Sequence, residues 1–170
     1  MRSYKKFTIS IIILGAVLAA PFLTGKVIVN ITPSVPRGLW LITDGVITYG
    51  DVVQVPLDAF KSTEWIPEVY RKKTSWGNVP YLKRVSGLPG DVIELSPEGL
   101  LLVGGVIIPD SAVLSRDGAG NKLERFPLPV TIASDEVWLM SDTARGFDSR
   151  YLGPARLNQC RKVINIISCN

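Results

Sequence analysis

Ser34, in the stretch NITPSVPRGLW (Asn30 to Trp40), and Lys83, in YLKRVSGLPGD (Tyr81 to Asp91), are the residues of this chain best suited to covalent chemistry. A serine hydroxyl attacks a carbonyl only when a base takes its proton, and the usual base is imidazole. This sequence has no histidine. Lysine is the natural candidate in its place. An amine serves as a general base near neutral pH when apolar surroundings penalise its charged form and bring its pKa from ~10.4 down to roughly 7–8. Lys83 is flanked by Leu82 and Val85 in a strand-like run that can supply such surroundings. Metal chemistry fits poorly, because imidazole is absent and the only cysteines, Cys160 and Cys169, lack zinc-site spacing. No cofactor is expected.

The elements that must position these groups read as strands. KVIVNI (Lys26 to Ile31), GLWLIT (Gly38 to Thr43), DVVQVPL (Asp51 to Leu57), YLKRVSG (Tyr81 to Gly87), DVIELS (Asp91 to Ser96) and EVWLMSD (Glu136 to Asp142) are short apolar or alternating runs. Turn residues such as Leu88-Pro89-Gly90 and Gly104-Gly105 separate them. The pattern predicts a mainly β fold, a coiled antiparallel or barrel-like sheet with two longer excursions. The first, Asp58 to Pro80, sets Trp65, Tyr70 and Trp76 beside Arg71-Lys72-Lys73. That mixture suits membrane headgroups, and it equally suits a solvated loop with a few packed rings. The second, Asp110 to Val130, reads as a surface loop.

With 170 residues, 46% hydrophobic and 20% charged, the chain has material for one substantial core. Its apolar residues are unevenly spread. FTISIIILGAVLAAPFLT, from Phe7 to Thr24, carries no charge over 18 residues. As a helix it rises roughly 27 Å, close to the ~30 Å hydrocarbon core of a bilayer. Arg2, Lys5 and Lys6 precede it, so the positive-inside rule places the N-terminus in the cytoplasm and the rest across the membrane. The expected division is residues 1–25 as basic tip and transmembrane anchor, and 26–170 as a periplasmic β-rich domain. A cleaved signal peptide is the competing reading. Pro21 after the best cut site, with Phe22 and Leu23 beyond it, favours a retained anchor.

The net charge of +4 raises nucleic acid as a partner, but three of the cations precede the anchor and the others are scattered without an RNA-type aromatic signature. No nucleic-acid partner is expected. Cys160 and Cys169 both fall in the exported part, where a disulfide is permitted, and their spacing fits a small C-terminal loop. The geometry such a bond needs is not readable from sequence.

Taken singly, Ser34-Val35-Pro36-Arg37-Gly38 is a plausible turn and Gly87-Leu88-Pro89-Gly90-Asp91 an ordinary hairpin connection. The order of anchor, serine turn, lysine strand and SDTARGFDSRYLG (Ser141 to Gly153) is far more specific. In that order the chain resembles the signal peptidase I superfamily of serine–lysine proteases, and within it the TraF-type conjugative-transfer signal peptidases. The family's NxTxSxPxG box matches Asn30, Thr32, Ser34, Pro36 and Gly38, followed by Leu39 and Trp40. Its KRVxGxPGD box runs from Lys83 to Asp91, and a GDVV segment lies between at Gly50 to Val53. Asp142, Asp148, Ser149, Arg150 and Gly153 fit its terminal GDNxxxSxDSRxxG box.

The resemblance implies Ser34 as the acylated nucleophile and Lys83 as its base, with the Ser34 amide and the Thr32 hydroxyl as oxyanion donors. It implies Asp148 and Arg150 as an ion pair behind the lysine; the plain alternative is a surface salt bridge. The terminal box departs from the leader-peptidase pattern near Gly146, where the serine that often orients the lysine amine is replaced. Ser141 and Ser149 are both available for that task. The implied activity is cleavage of an exported membrane-inserted precursor, such as a conjugative pilin, with cyclisation as a second outcome. A non-enzymatic membrane-anchored scaffold and a general secretory leader peptidase are the alternatives.

Overall fold

The computed structural model describes residues 24–66, 70–71, 73–74, 77–78 and 80–169. The basic tip, the apolar stretch except for Thr24, and Trp76 lie outside those residues. Among the described residues no helix is long and apolar enough to cross a membrane.

The chain runs β1 (Val27–Asn30), β2 (Gly38–Ile42), β3 (Val52–Val55), a small hairpin of β4 (Lys73–Thr74) and β5 (Gly77–Asn78), β6 (Tyr81–Gly87), β7 (Val92–Leu95), β8 (Leu101–Val103), β9 (Val106–Ile107), β10 (Val130–Thr131), β11 (Glu136–Met140), the short helix α1 (Ser149–Leu152), β12 (Ala155–Arg156) and β13 (Arg161–Ser168). The main sheet has the order β1-β2-β13-β3-β6-β11-β12, and a second sheet the order β10-β7-β8-β9. Pairing is antiparallel throughout. All six strands expected from alternation are present, as β1, β2, β3, β6, β7 and β11.

Strand β13 was hidden in the sequence, yet it sits in mid-sheet between β2 and β3. Its alternation breaks at an irregularity between Asn165 and Ile167, and Ile164, Ile166 and Ile167 stay about half exposed. The same strand corrects the expectation of a Cys160–Cys169 disulfide. Cys160 precedes β13 and Cys169 follows it, and an extended chain rises about 3.3 Å per residue, far beyond the ~7 Å a disulfide tolerates between α carbons. Both cysteines are free, Cys160 buried and Cys169 exposed.

The sheet is strongly curled. Four strand spacings separate β2 from β11, roughly 19 Å in a flat sheet, yet the Asp142 amide just past β11 donates to the Ser34 carbonyl in the β1–β2 turn at 2.7 Å. Alternation assigns the faces. Val53 and Val55 of β3, Val85 of β6 and Leu139 of β11 pack with Phe60, Phe147 and Tyr151. On the opposite face, Val52 and Leu82 join Trp40, Ile42 and Val163, while Trp138 and Met140 pack under the second sheet against Ile93 and Leu101.

The described rings of the first excursion face inward. Tyr70 stacks on Phe147 with centroids 4.1 Å apart, and Trp65 meets Phe147 edge-on at 6.0 Å. This arrangement matches the packed-ring reading. The Tyr70 hydroxyl also donates to Asp117 Oδ2 at 2.7 Å, which ties the two excursions together.

Candidate active site

Asn30 holds the serine turn in shape. Its amide nitrogen donates to the carbonyls of Thr32, Val35 and Pro36 at 2.9, 3.0 and 3.1 Å. Its Oδ1 accepts from the Thr32 amide at 3.2 Å and the Thr32 hydroxyl at 2.8 Å. The Trp40 indole N–H donates to the Pro36 carbonyl at 3.0 Å. Gly38 is required where the turn meets β2, because a Cβ there would fall 1.8 Å from the Ile167 carbonyl oxygen at a φ of +136°.

The Ser34 and Thr32 hydroxyl oxygens lie 3.1 Å apart. A hydroxyl has one proton, and that of Thr32 goes to Asn30, so in this bond the Thr32 oxygen accepts from Ser34.

Lys83 stands on β6 opposite Val53 of β3, on the face that carries Val55, Val85 and Leu139. Its side chain is almost fully buried, at 2% exposure. Lysine is rarely buried without a polar partner, and here Nζ donates to Ser141 Oγ at 2.7 Å while lying 5.5 Å from the Tyr81 ring centre. Of the two candidate hydroxyls, Ser141 meets the amine. Ser149 Oγ is engaged by the Leu139 amide at 2.9 Å.

The next residue completes the link. Asp142, whose amide holds the Ser34 carbonyl, turns its carboxylate to Arg84 in a two-pronged pair, Nε to Oδ1 at 2.7 Å and Nη2 to Oδ2 at 2.6 Å. The Asp142 bond is the largest influence on Arg84 and raises its pKa. Ser34 and Lys83 are thus held by consecutive residues, Ser34 through the Asp142 backbone and Lys83 through the Ser141 side chain.

Asp148 and Arg150 are both fully buried, so theirs is no surface salt bridge. Asp148 caps α1 and accepts the Ser141 amide on Oδ2 at 2.9 Å. Arg150 also donates to the carbonyls of Ala112, Ala144 and Gly146 at 2.9, 2.8 and 2.9 Å. Burial works against the Arg150 charge and is its largest single influence. The Asp148 bond and charge outweigh it and hold the pKa above the usual value.

The arrangement sets the Ser34 and Thr32 hydroxyls side by side in one turn and ties that turn, through the Asp142 amide, to the neighbour of the residue whose hydroxyl meets the buried Lys83 amine. A cavity of about 380 Å3 is lined by Tyr70, Arg116, Arg145, Gly146, Phe147 and Tyr151 among others, but not by Ser34, Thr32 or Lys83. Two contributors escaped sequence reasoning, the Asn30 side chain and Arg84. Both lie inside the quoted boxes, so their signal was a polar residue kept at a fixed offset from Ser34 or Lys83.

The family model described as signal peptidase, peptidase S26, matches residues 1–167. A plasmid transfer protein TraF of Escherichia coli is 30% identical over 171 residues, covering 96% of both chains. A conjugal transfer protein TraF of Agrobacterium tumefaciens (strain 15955) is 32% identical over 145 residues, covering 81% of this chain and 79% of that one. A crystal structure of a signal peptidase I from Enterococcus faecalis V583 superposes with a TM-score of 0.45 at 18% identity, covering 72% of this chain and 100% of that one. This chain belongs to the S26 signal peptidase family and is similar within it to the TraF conjugal-transfer proteins.

Proposed function

We propose that this protein is a membrane-anchored serine endopeptidase in which Ser34 is the nucleophile and Lys83 its general base. The observation that carries the reading is the convergence of both residues on Ser141 and Asp142, the amine buried and the serine turn tied alongside. Removing an amine from water penalises its charged form, so the buried lysine is biased toward the neutral base the reaction needs.

As Ser34 turns from Thr32 toward the amine, Lys83 takes its proton and Oγ bonds to the substrate carbonyl carbon. The carbonyl π electrons move onto oxygen. The Ser34 amide and the Thr32 hydroxyl, swung off Asn30, donate to that oxyanion; each such donor is worth about 10²–10³ in rate. Collapse breaks the C–N bond, and the Lys83 ammonium gives its proton to the leaving amine. Water then attacks the acyl-enzyme, Lys83 takes the water proton, and that proton returns to Ser34 as the acid leaves. If the substrate's own N-terminal amine attacks instead, the product is cyclic.

The substrate is an exported, membrane-inserted precursor of a conjugation apparatus, a pilin subunit, in keeping with the names of the relatives. Residues 1–25 anchor the enzyme in the bacterial inner membrane, and residues 26–170 form its periplasmic catalytic domain. Val29, Ile31, Ile164, Ile166 and Ile167 lie exposed on β1, β13 and the start of the serine turn, close to where the anchor ends, and this apolar strip supports contact with lipid.

Processing of the pilin precursor by Ser34→Ala and Lys83→Arg variants tests the reading. Arginine keeps the charge but cannot act as a base. Each variant should lose at least about 10³-fold in cleavage rate, and full activity in both would reject the Ser34–Lys83 dyad.

A further inference from the structure

We infer that Ser141 is the positioning residue for the Lys83 amine, and that position 146 is glycine because the Ser141 side chain fills the space beside it. This rests on the dyad reading above and names a residue on which that chemistry depends.

Register explains how Ser141 reaches the lysine. Strands β6 and β11 pair Trp138 with Gly87, then shift, so that Leu139 stands opposite Val85 and Met140 opposite Arg84. The step leaves Ser86 as an extra residue on β6, and an extra residue flips every later side chain relative to its partner. Carried on from the shifted register, Ser141 comes level with Lys83 and shares its face, as Leu139 does with Val85. Asp142 turns to the Arg84 face. Without the shift the two would exchange places, and the Asp142 carboxylate would lie on the Lys83 face.

That exchange would matter chemically. A carboxylate against the amine favours the ammonium, which cannot take a proton, whereas a neutral hydroxyl orients the amine without adding charge. The observed contacts follow the shifted register. Lys83 meets the hydroxyl at 2.7 Å, and the carboxylate is drawn off by both prongs of Arg84.

Gly146 supplies an independent observation. An ideal Cβ at this position would fall 2.1 Å from Ser141 Cβ and 2.2 Å from Ser141 Oγ, with Asp148 Oδ2 at 3.0 Å. No side chain fits there while Ser141 is present. The hydroxyl-sized space beside the amine can therefore be entered from two backbone positions, and this chain enters it from 141. Both positions are held by the buried ion pair, the Ser141 amide by Asp148 Oδ2 at 2.9 Å and the Gly146 carbonyl by Arg150 Nη2 at 2.9 Å.

The test compares kcat and KM for precursor cleavage by full-length Ser141→Ala, Ser141→Gly/Gly146→Ser and Ser141→Gly/Gly146→Ala, with thermal melting to verify folding. Ser141→Ala should lower kcat by about 10- to 100-fold with KM little changed. The exchange with serine at 146 should recover kcat to within about 10-fold of the parent. The exchange with alanine refills the volume without a hydroxyl and should stay as slow as Ser141→Ala. Full kcat in Ser141→Ala, or equal kcat in the two exchange variants, would overturn the inference. Lys83→Arg run in parallel separates the levels. If it is inactive while Ser141→Ala is fully active, only the positioning role fails; if it is itself active, the dyad fails.

Discussion

The Arg150 guanidinium grips the Asp148 carboxylate with two side-chain bonds, Nε to Oδ1 at 2.9 Å and Nη2 to Oδ2 at 2.8 Å, both groups wholly removed from solvent. Because Asp148 also holds the Ser141 amide, the pair sets the backbone that carries the lysine's partner. Breaking a buried pair on one side leaves an uncompensated charge and typically costs about 3–5 kcal/mol. Arg150→Met should therefore destabilise the protein by that amount in denaturant titration. Arg150→Lys should also fall well short of the parent, since lysine lacks the planar fork that reaches Ala112, Ala144 and Gly146 together with Asp148.

The two thiols should behave oppositely. Burial pushes Cys160 up to about 12, while Cys169 is exposed. The thiolate is the reactive form, so iodoacetamide at pH 8 should label Cys169 in the native protein and reach Cys160 only after denaturation. Mass spectrometry after oxidation should find no internal Cys160–Cys169 bridge. A native protein losing both thiols to one intramolecular bond would contradict the position of β13.

The link between the excursions should weaken in acid. Hydrogen bonds from the Tyr70 hydroxyl, first, and from Asn121 hold the Asp117 carboxyl down at about 2, below its ordinary 3.8. A depressed folded-state pKa contributes stability that is complete above the unfolded value and is lost as pH falls through the folded one. Between pH 5 and pH 2 the melting temperature should accordingly drop further for the parent than for Asp117→Asn. Equal drops would show that the Tyr70–Asp117 contact contributes nothing.

Much of the site was legible from contiguous residues. Ser34 and Lys83 stood out because histidine is absent and because each lies in a tightly specified box. Asp148 and Arg150 are two residues apart, close enough for a short helix cap to bring them together, and the structure added that the pair is buried. Strand β13 was harder to see because its outer half is apolar without being covered, so alternation between core and solvent does not mark it. The disulfide expectation failed for the same reason, since a spacing that fits a loop cannot be bridged across a strand.

By itself the sequence determined the chemical inventory and six of the strands, because hydroxyl, amine and alternating apolar residues are properties of composition and short-range pattern. It left open which of Ser141 and Ser149 serves the lysine. That choice fell to the tertiary structure, since it depends on a one-residue shift between β6 and β11 and on a curl that brings the turn after β1 to the end of β11. Side chains in a strand alternate with a period of two, so register between distant strands decides which face each group occupies, and register is set by packing across the whole sheet.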